Sequence, residues 1–407
     1  MRWNAANSDR TPALTPAAET PPELSLLLTI ARVELSEPCQ DLLRRLVAAP
    51  LDWDYLLAMA ARHGLEPLLY LHLRRHCAAA IPGPVMESLR ANSTAIAARN
   101  LILAAKLVGI SSHLCSQEVE HAAFKGPLLA ETCYGSCALR VFHDLDLIVP
   151  AARIIAARDA LGEIGFRDKY GLSPAQQSAS FHFGFEHPFT AQGGIDLDVH
   201  WRLVQKFKSP SLDMEAIWRR VTRSRLFKAE VPALCPEDNL MALCLHTGHH
   251  GWIQLSHFCD IAQLLLTYPR LNWEIVRSHL GDALTARIVS VSLYLVHRHW
   301  YARIPEDLLA TISADAEVPR IAGRVEAEIW PSLEPALSTS SLRWLLDRFS
   351  GVSPSLRLRM VAGSIVCPAI EDIEYFKLPG IFSSLYPALR PVRLAIKYSF
   401  SHEGAVR

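Results

Sequence analysis

Two aspartates, Asp144 and Asp146, stand two residues apart in an otherwise apolar run that includes Leu145, Leu147, Ile148 and Val149. If the run is a strand, residues i and i+2 face one side, roughly 6.5–7 Å apart at ~3.3 Å per residue. Leu145 and Leu147 then point to the core, and the two carboxylates share an exposed face. Like charges that close are unfavourable unless a proton or a cation comes between them. A divalent metal resolves the conflict. Magnesium takes oxygen ligands, usually one or two carboxylates together with substrate phosphates. A second segment, "GGIDLDVHWRL" from Gly193, repeats the pattern, with Asp196, Asp198 and His200 on one face and Ile195, Leu197 and Val199 on the other. Set side by side, the two strands bring three carboxylates together. That suffices for two ions that activate a nucleophile and steady a leaving pyrophosphate. Alternation does not choose between Asp196 and Asp198 for the third place. Position does: Asp196 lies near the hairpin tip at Gly193-Gly194, whereas Asp198 lies deeper, ahead of His200 and Trp201.

Upstream, "FKGPLL" puts Lys125 and Gly126 at a strand-to-helix turn. A helix N-terminus offers free backbone N–H groups and a dipole that favours phosphate. Lys125 adds a point charge there. Arg140 adds a planar donor that either meets a phosphate or pairs with Asp144 or Asp146 to hold the loop. A separate group, His246, His249, His250 and His257 with Asp260, has some metal-compatible spacing, His246 and His250 being i, i+4 on a helix. It lacks a His-Asp dipeptide and a His-Glu-x-x-His arrangement. The expectation is that these side chains line an inter-domain cleft or satisfy one another in a helical core. His182 and His187 are expected near the active-site strands in structural roles.

The elements that must position these residues follow from periodicity. Residues 1–23, rich in Pro, Ala and Thr, read as a disordered tail. From 24 to 117, apolar residues recur at three- and four-residue spacing, which predicts an N-terminal helical region. From 118 to 211 the period changes. Short strands alternate with helices such as "PLLAETCYG", with Pro127 in its first turn and Gly135 past its end. From 212 to 407 helices return. The predicted fold is α+β, a small mixed sheet carrying the aspartates between two helical regions.

The chain has 407 residues, and 41 basic against 41 acidic side chains leave no net charge, so nothing in the overall charge points to nucleic acid. Nine scattered cysteines, an odd number without a Cys-x-x-Cys pair, fit free thiols in a reducing compartment. The N-terminus lacks an apolar signal core, and no run reads as the ~18–20 apolar residues of a bilayer span. The expected setting is cytoplasmic.

Taken in order, Lys125-Gly126, Tyr134-Gly135, Arg140, Asp144-x-Asp146 and Asp198-x-His200-Trp201 resemble the bacterial uncharacterised nucleotidyltransferase family of polymerase-β-like fold. Abortive-infection nucleotidyltransferase toxins share a similar order. The segments "MAARHGLEPLLYLHL", "HTGHHGWIQLSHFCDIAQLL" and "LYPALRPVRL" are also similar to the family. The resemblance implies metal ligation by Asp144, Asp146 and Asp198, and a phosphate-binding turn at Lys125 and Gly126. It also implies transfer of an NMP from an NTP, ATP among the candidates, with Mg2+ or Mn2+, to a hydroxyl of a small molecule, peptide, protein or RNA. The turn here is Gly-Pro where better-known nucleotidyltransferases carry Gly-Ser. The alternatives are a non-catalytic nucleotide-binding or scaffold protein that keeps the fold, and a tRNA-modifying toxin.

Overall fold

The computed structural model describes residues 20–209, 211–333 and 354–401. Most of the expected disordered tail lies outside these residues, and the first helix already begins at Pro22. Five helices follow one another: α1 (Pro22–Ile30), α2 (Glu37–Ala48), α3 (Trp53–His63), α4 (Glu66–His76) and α5 (Gly83–Ser116). Their ends carry ordinary punctuation. Asp52 accepts the Tyr55 N–H at the start of α3, and Gly64 closes it in the left-handed region at φ 66°.

Contrary to the expectation from composition, α5 is long and apolar enough for an 18-residue window of it to match a membrane span, with a third of that window buried. Its buried stripe, Leu103, Leu107, Ile110 and Leu114, packs under the sheet. Leu101 and Ile102 remain exposed.

The sheet has seven strands in the order β3-β4-β5-β2-β1-β7-β6. They are β1 (Ala122–Ala123), β2 (Leu145–Ile148), β3 (Arg167–Asp168), β4 (Glu186–Ala191), β5 (Ile195–His200), β6 (Thr222–Leu226) and β7 (Ala229–Ala233). Pairing is mixed: β2 with β5 and β1 with β7 run parallel, and the remaining pairs antiparallel. β6 and β7 lie beyond residue 211, where sequence periodicity suggested helices alone. Leu145, Leu147, Leu197, Val199 and Ala233 face a core shared with α5 and with α7 (Ile154–Glu163).

The opposite face departs from the expected arrangement. Ala122 and Ile148 join a second core that contains both the N-terminal helices and the later ones. The two helical regions therefore do not flank the sheet separately. They meet each other. The Trp300 indole donates to the Ala31 carbonyl at 2.5 Å, His63 Nε2 lies 3.0 Å from the Trp330 carbonyl, and Arg32 donates to the His299 carbonyl at 3.0 Å. Periodicity shows that a helix has an apolar stripe but not which partner covers it, so this merger had no local signature.

Candidate active site

The turn between β1 and α6 (Gly126–Tyr134) is strained. Lys125 adopts φ 56°, ψ −149°, and Gly126 follows at φ 45°. The Lys125 conformation is close to one that only glycine adopts freely, at a cost of about 1–3 kcal/mol for another residue. The gain is directional. The first intrahelical bond is Leu129 N–H to the Lys125 carbonyl at 3.0 Å. Pro127 has no N–H, so Gly126 and Leu128 carry the donors left over at this helix start. Gly126 packs beside Asp144, whose carbonyl oxygen would lie 3.8 Å from a Cβ at that position.

Parallel pairing of β2 with β5 sets Asp146 directly opposite Asp198, so the two carboxylates share a face. Asp144 sits one residue ahead of β2 and is half-buried. Asp146 is not exposed as expected: only 7% of it reaches solvent. Its charge is met from inside. Lys125 Nζ stands 2.9 Å from Asp146 Oδ1, and His200 Nε2 stands 3.2 Å from the same oxygen. Burial alone would raise the Asp146 carboxyl, but Lys125 and His200 outweigh it and hold the group well below the usual range. Burial likewise opposes the Lys125 charge, and Asp146, Asp144 and Glu186 reverse the sign, so its ammonium is stabilised.

The other carboxylates are less well served. Burial, then the charge of Asp146, pushes Asp144 up. Asp198 is pushed to about 7, first by burial and then by Glu186, with Asp146 and Asp144 adding to it against His200. Among the described residues neither Asp144 nor Asp198 has an ion-pair partner. Asp196 differs. Lys169 Nζ lies 2.7 Å from it, and this pairing outweighs the cost of burial and lowers its carboxyl.

Glu186 was not singled out from the sequence. It sits opposite His200 on β4, with Oε2 3.1 Å from His200 Nδ1. Counting back from the Gly193-Gly194 turn would have found it, because a hairpin fixes its own register.

Arg140 pairs with neither Asp144 nor Asp146. Its Nε and Nη2 donate to the two oxygens of Asp260, at 2.7 and 2.8 Å. Tyr134 donates its hydroxyl to Asp260 at 2.6 Å. Asp260 belongs to α9 (Leu255–Thr267), so this buried junction ties the active-site loop to the later helices. Asn100 of α5 holds the same loop by donating to the Cys137 and Arg140 carbonyls, each at 2.7 Å. The third guanidinium nitrogen, Arg140 Nη1, is buried without a partner.

His246 and His249 lie in the last turn of α8 (Pro236–His249), His250 follows it, and His257 lies in the first turn of α9. His246 Nδ1 is 3.4 Å from Lys125 Nζ. Gly251 and Trp252 take positive φ, and Trp252 is locked by donating its indole N–H to Ser292 at 2.9 Å. His187, on β4 opposite Val199 of β5, is fully buried and bonded between Ser180 and Asp168.

Among the described residues, no three carboxylate, imidazole or thiolate groups enclose an ion as they stand. The Lys125 ammonium occupies the cationic place beside Asp146. The donor set still suits a divalent cation. Asp144, Asp146 and Asp198 are oxygen donors on one face, and two of them are held back from ionising by burial and by their neighbours.

A family model described as uncharacterised nucleotidyltransferase matches residues 49–301. That span includes the whole sheet, the Lys125–Gly126 turn, Asp260 and the histidines. No curated protein matches the chain.

Proposed function

The chain belongs to the uncharacterised nucleotidyltransferase family, and from that premise we propose that Asp144, Asp146 and Asp198 are the metal-binding carboxylates of a polymerase-β-like active site. The activity is nucleotidyl transfer. The observation that carries the assignment is the register that places Asp146 opposite Asp198, with Asp144 at the head of the same strand. Magnesium or manganese held by these carboxylates would offset phosphate charge and lower the pKa of the attacking hydroxyl.

The chain's own groups divide the remaining work. Gly126 and Leu128 N–H groups and the Lys125 ammonium receive the nucleotide phosphates. An acceptor hydroxyl attacks the α-phosphorus. The new O–P bond forms, the bond to the bridging oxygen of the β-phosphate breaks, and pyrophosphate leaves. Asp198 would favour loss of the hydroxyl proton either by holding the metal that lowers its pKa or as a direct base. Asp146 is poorly suited to the latter because Lys125 and His200 keep it ionised. Arg140 acts mainly through Asp260, as a positioning residue for the loop that ends in Asp144.

The acceptor is a hydroxyl on a small molecule, peptide, protein or RNA. The test is incubation of the full chain with magnesium, each α-labelled NTP and a cell extract, followed by identification of the labelled product. Wild type transfers label and Asp198→Asn does not. Equal labelling by both would remove Asp198 from the reaction and overturn the assignment.

A further inference from the structure

The nucleotidyltransfer reading leaves His246, His250 and His257 without a task. The three rings face one another closely: centroids are 4.4 Å apart for His246 and His250, 4.8 Å for His246 and His257, and 5.8 Å for His250 and His257. All three are half-buried, so the cluster reaches solvent. Its inner end is Lys125, 3.4 Å from His246. The order across the site is thus carboxylates, then Lys125, then imidazoles. Two helices carry His246 and His257, and the connection between them, which starts at His250, is built rigidly. A Cβ on Gly248 would run into the Ile288 side chain, and Trp252 is held at φ 58° with its indole bonded to Ser292.

The surroundings select the charge of a ligand. Lys125 and Arg140 are the fixed charges that oppose protonation of His257, and both are positive. Burial and Lys125 keep His246, and burial, His250, Arg140 and Lys125 keep His257, well below the usual imidazole range, so both are neutral near pH 7 and each offers one N–H. His257 Nδ1 and Arg140 Nη1 are buried polar atoms without partners. A cation here would meet the Lys125 ammonium, and the rings do not enclose one. An anion would meet imidazole N–H donors and the Arg140 Nη1 that Asp260 leaves unpartnered, beside the Lys125 ammonium that Asp146 already holds.

We propose that His246, His250 and His257, together with Lys125, form the subsite for the β- and γ-phosphates of the nucleotide and for the pyrophosphate that leaves. The proposal rests on the nucleotidyltransfer reading for the identity of the anion. It extends the phosphate contacts from the α6 N-terminus onto the helical part of the chain. The triphosphate then spans both parts, with the α-phosphate beside the carboxylates and the leaving group on the histidines.

The test is a calorimetric titration of the full chain with inorganic pyrophosphate and tripolyphosphate, with metal chelated throughout. Wild type binds both. His250→Gln and His257→Asn each weaken binding at least tenfold while melting as wild type does. On wild type labelled with 15N at histidine, added pyrophosphate shifts the ring resonances of these three residues, a readout that needs no variant to fold. Absence of pyrophosphate binding by wild type, or equal affinity in the variants, overturns the subsite. Stoichiometric zinc binding that both variants lose would show a metal centre and overturn it as well. Asp198→Asn should keep its pyrophosphate affinity. Retained turnover in that variant would defeat the carboxylate assignment alone, whereas unchanged pyrophosphate affinity in the histidine variants would defeat the subsite alone.

Discussion

Asp198→Asn should stabilise the metal-free protein at alkaline pH, an effect opposite to that of most substitutions in a half-buried sheet. In the folded chain the Asp198 carboxyl titrates near 7, against about 3.9 in an unfolded chain. Between those values the folded state keeps a proton that the unfolded chain has released. Stability therefore falls as pH rises through this window, and the full loss is present above pH 7. A displacement of about three units corresponds to at most about 4 kcal/mol. Screening of a half-buried group lowers this to about 2–3 kcal/mol. Asparagine cannot ionise and escapes the loss. The assay is urea unfolding of wild type and Asp198→Asn at pH 5 and pH 8.5, with chelator and with excess magnesium. With chelator, the variant should gain on wild type by about 1–2 kcal/mol between the two pH values, since part of the window already lies below pH 5. With magnesium at pH 8.5, wild type should recover most of the difference, because a cation bound only by the folded state stabilises it. A variant less stable than wild type at pH 8.5 in chelator, or a difference that ignores pH, would refute the claim that Asp198 is an uncompensated carboxylate awaiting a cation.

Other substitutions separate pairing from catalysis. Lys125→Met leaves Asp146 buried beside His200 alone and should cost about 3–5 kcal/mol in chelator, with magnesium restoring part of it; unfolding titrations in both buffers measure this. Arg140→Ala strips Asp260 of its bidentate partner and should destabilise by a similar about 3–5 kcal/mol, whereas Tyr134→Phe removes one hydrogen bond and should cost about 1–3 kcal/mol; melting the two variants in parallel ranks them. Asp196→Ala, which breaks the exposed pair with Lys169, should change single-turnover rates by less than tenfold, while Asp198→Ala lowers them by orders of magnitude. Glu186→Gln removes the charge that, after burial, raises Asp198 most and should move the acidic limb of the pH–rate profile downward; an unmoved limb would separate Glu186 from the titration.

The local facts of this site were present in the order of residues. Period-two alternation put Asp198 and His200 on one face of a strand, and the Gly193-Gly194 turn made the hairpin. Pro127 and Gly135 bracketed a helix at Gly126–Tyr134. These features depend on neighbours a few residues apart, so a sequence displays them directly. Other features needed the whole chain. The parallel pairing of β2 with β5 joins residues 52 positions apart, Asp146 with Asp198. Lys125 reads as a free cation at a turn. Only folding sets it 2.9 Å from Asp146 and turns an expected exposed charge into a buried pair. Arg140 reads as a phosphate donor, yet its partner Asp260 comes from a helix that periodicity could not dock. β6 and β7 are short and half polar, so they acquire strand identity by adding to the edge of an existing sheet rather than from their own pattern. Packing of the first helices against the last likewise followed from which apolar stripes meet. The sequence by itself determined which groups carry chemistry and which strand face each occupies. Tertiary structure decided which charges neutralise one another, because Coulomb energies at this range depend on separations of a few ångströms and on the exclusion of water, and neither is a property of local sequence.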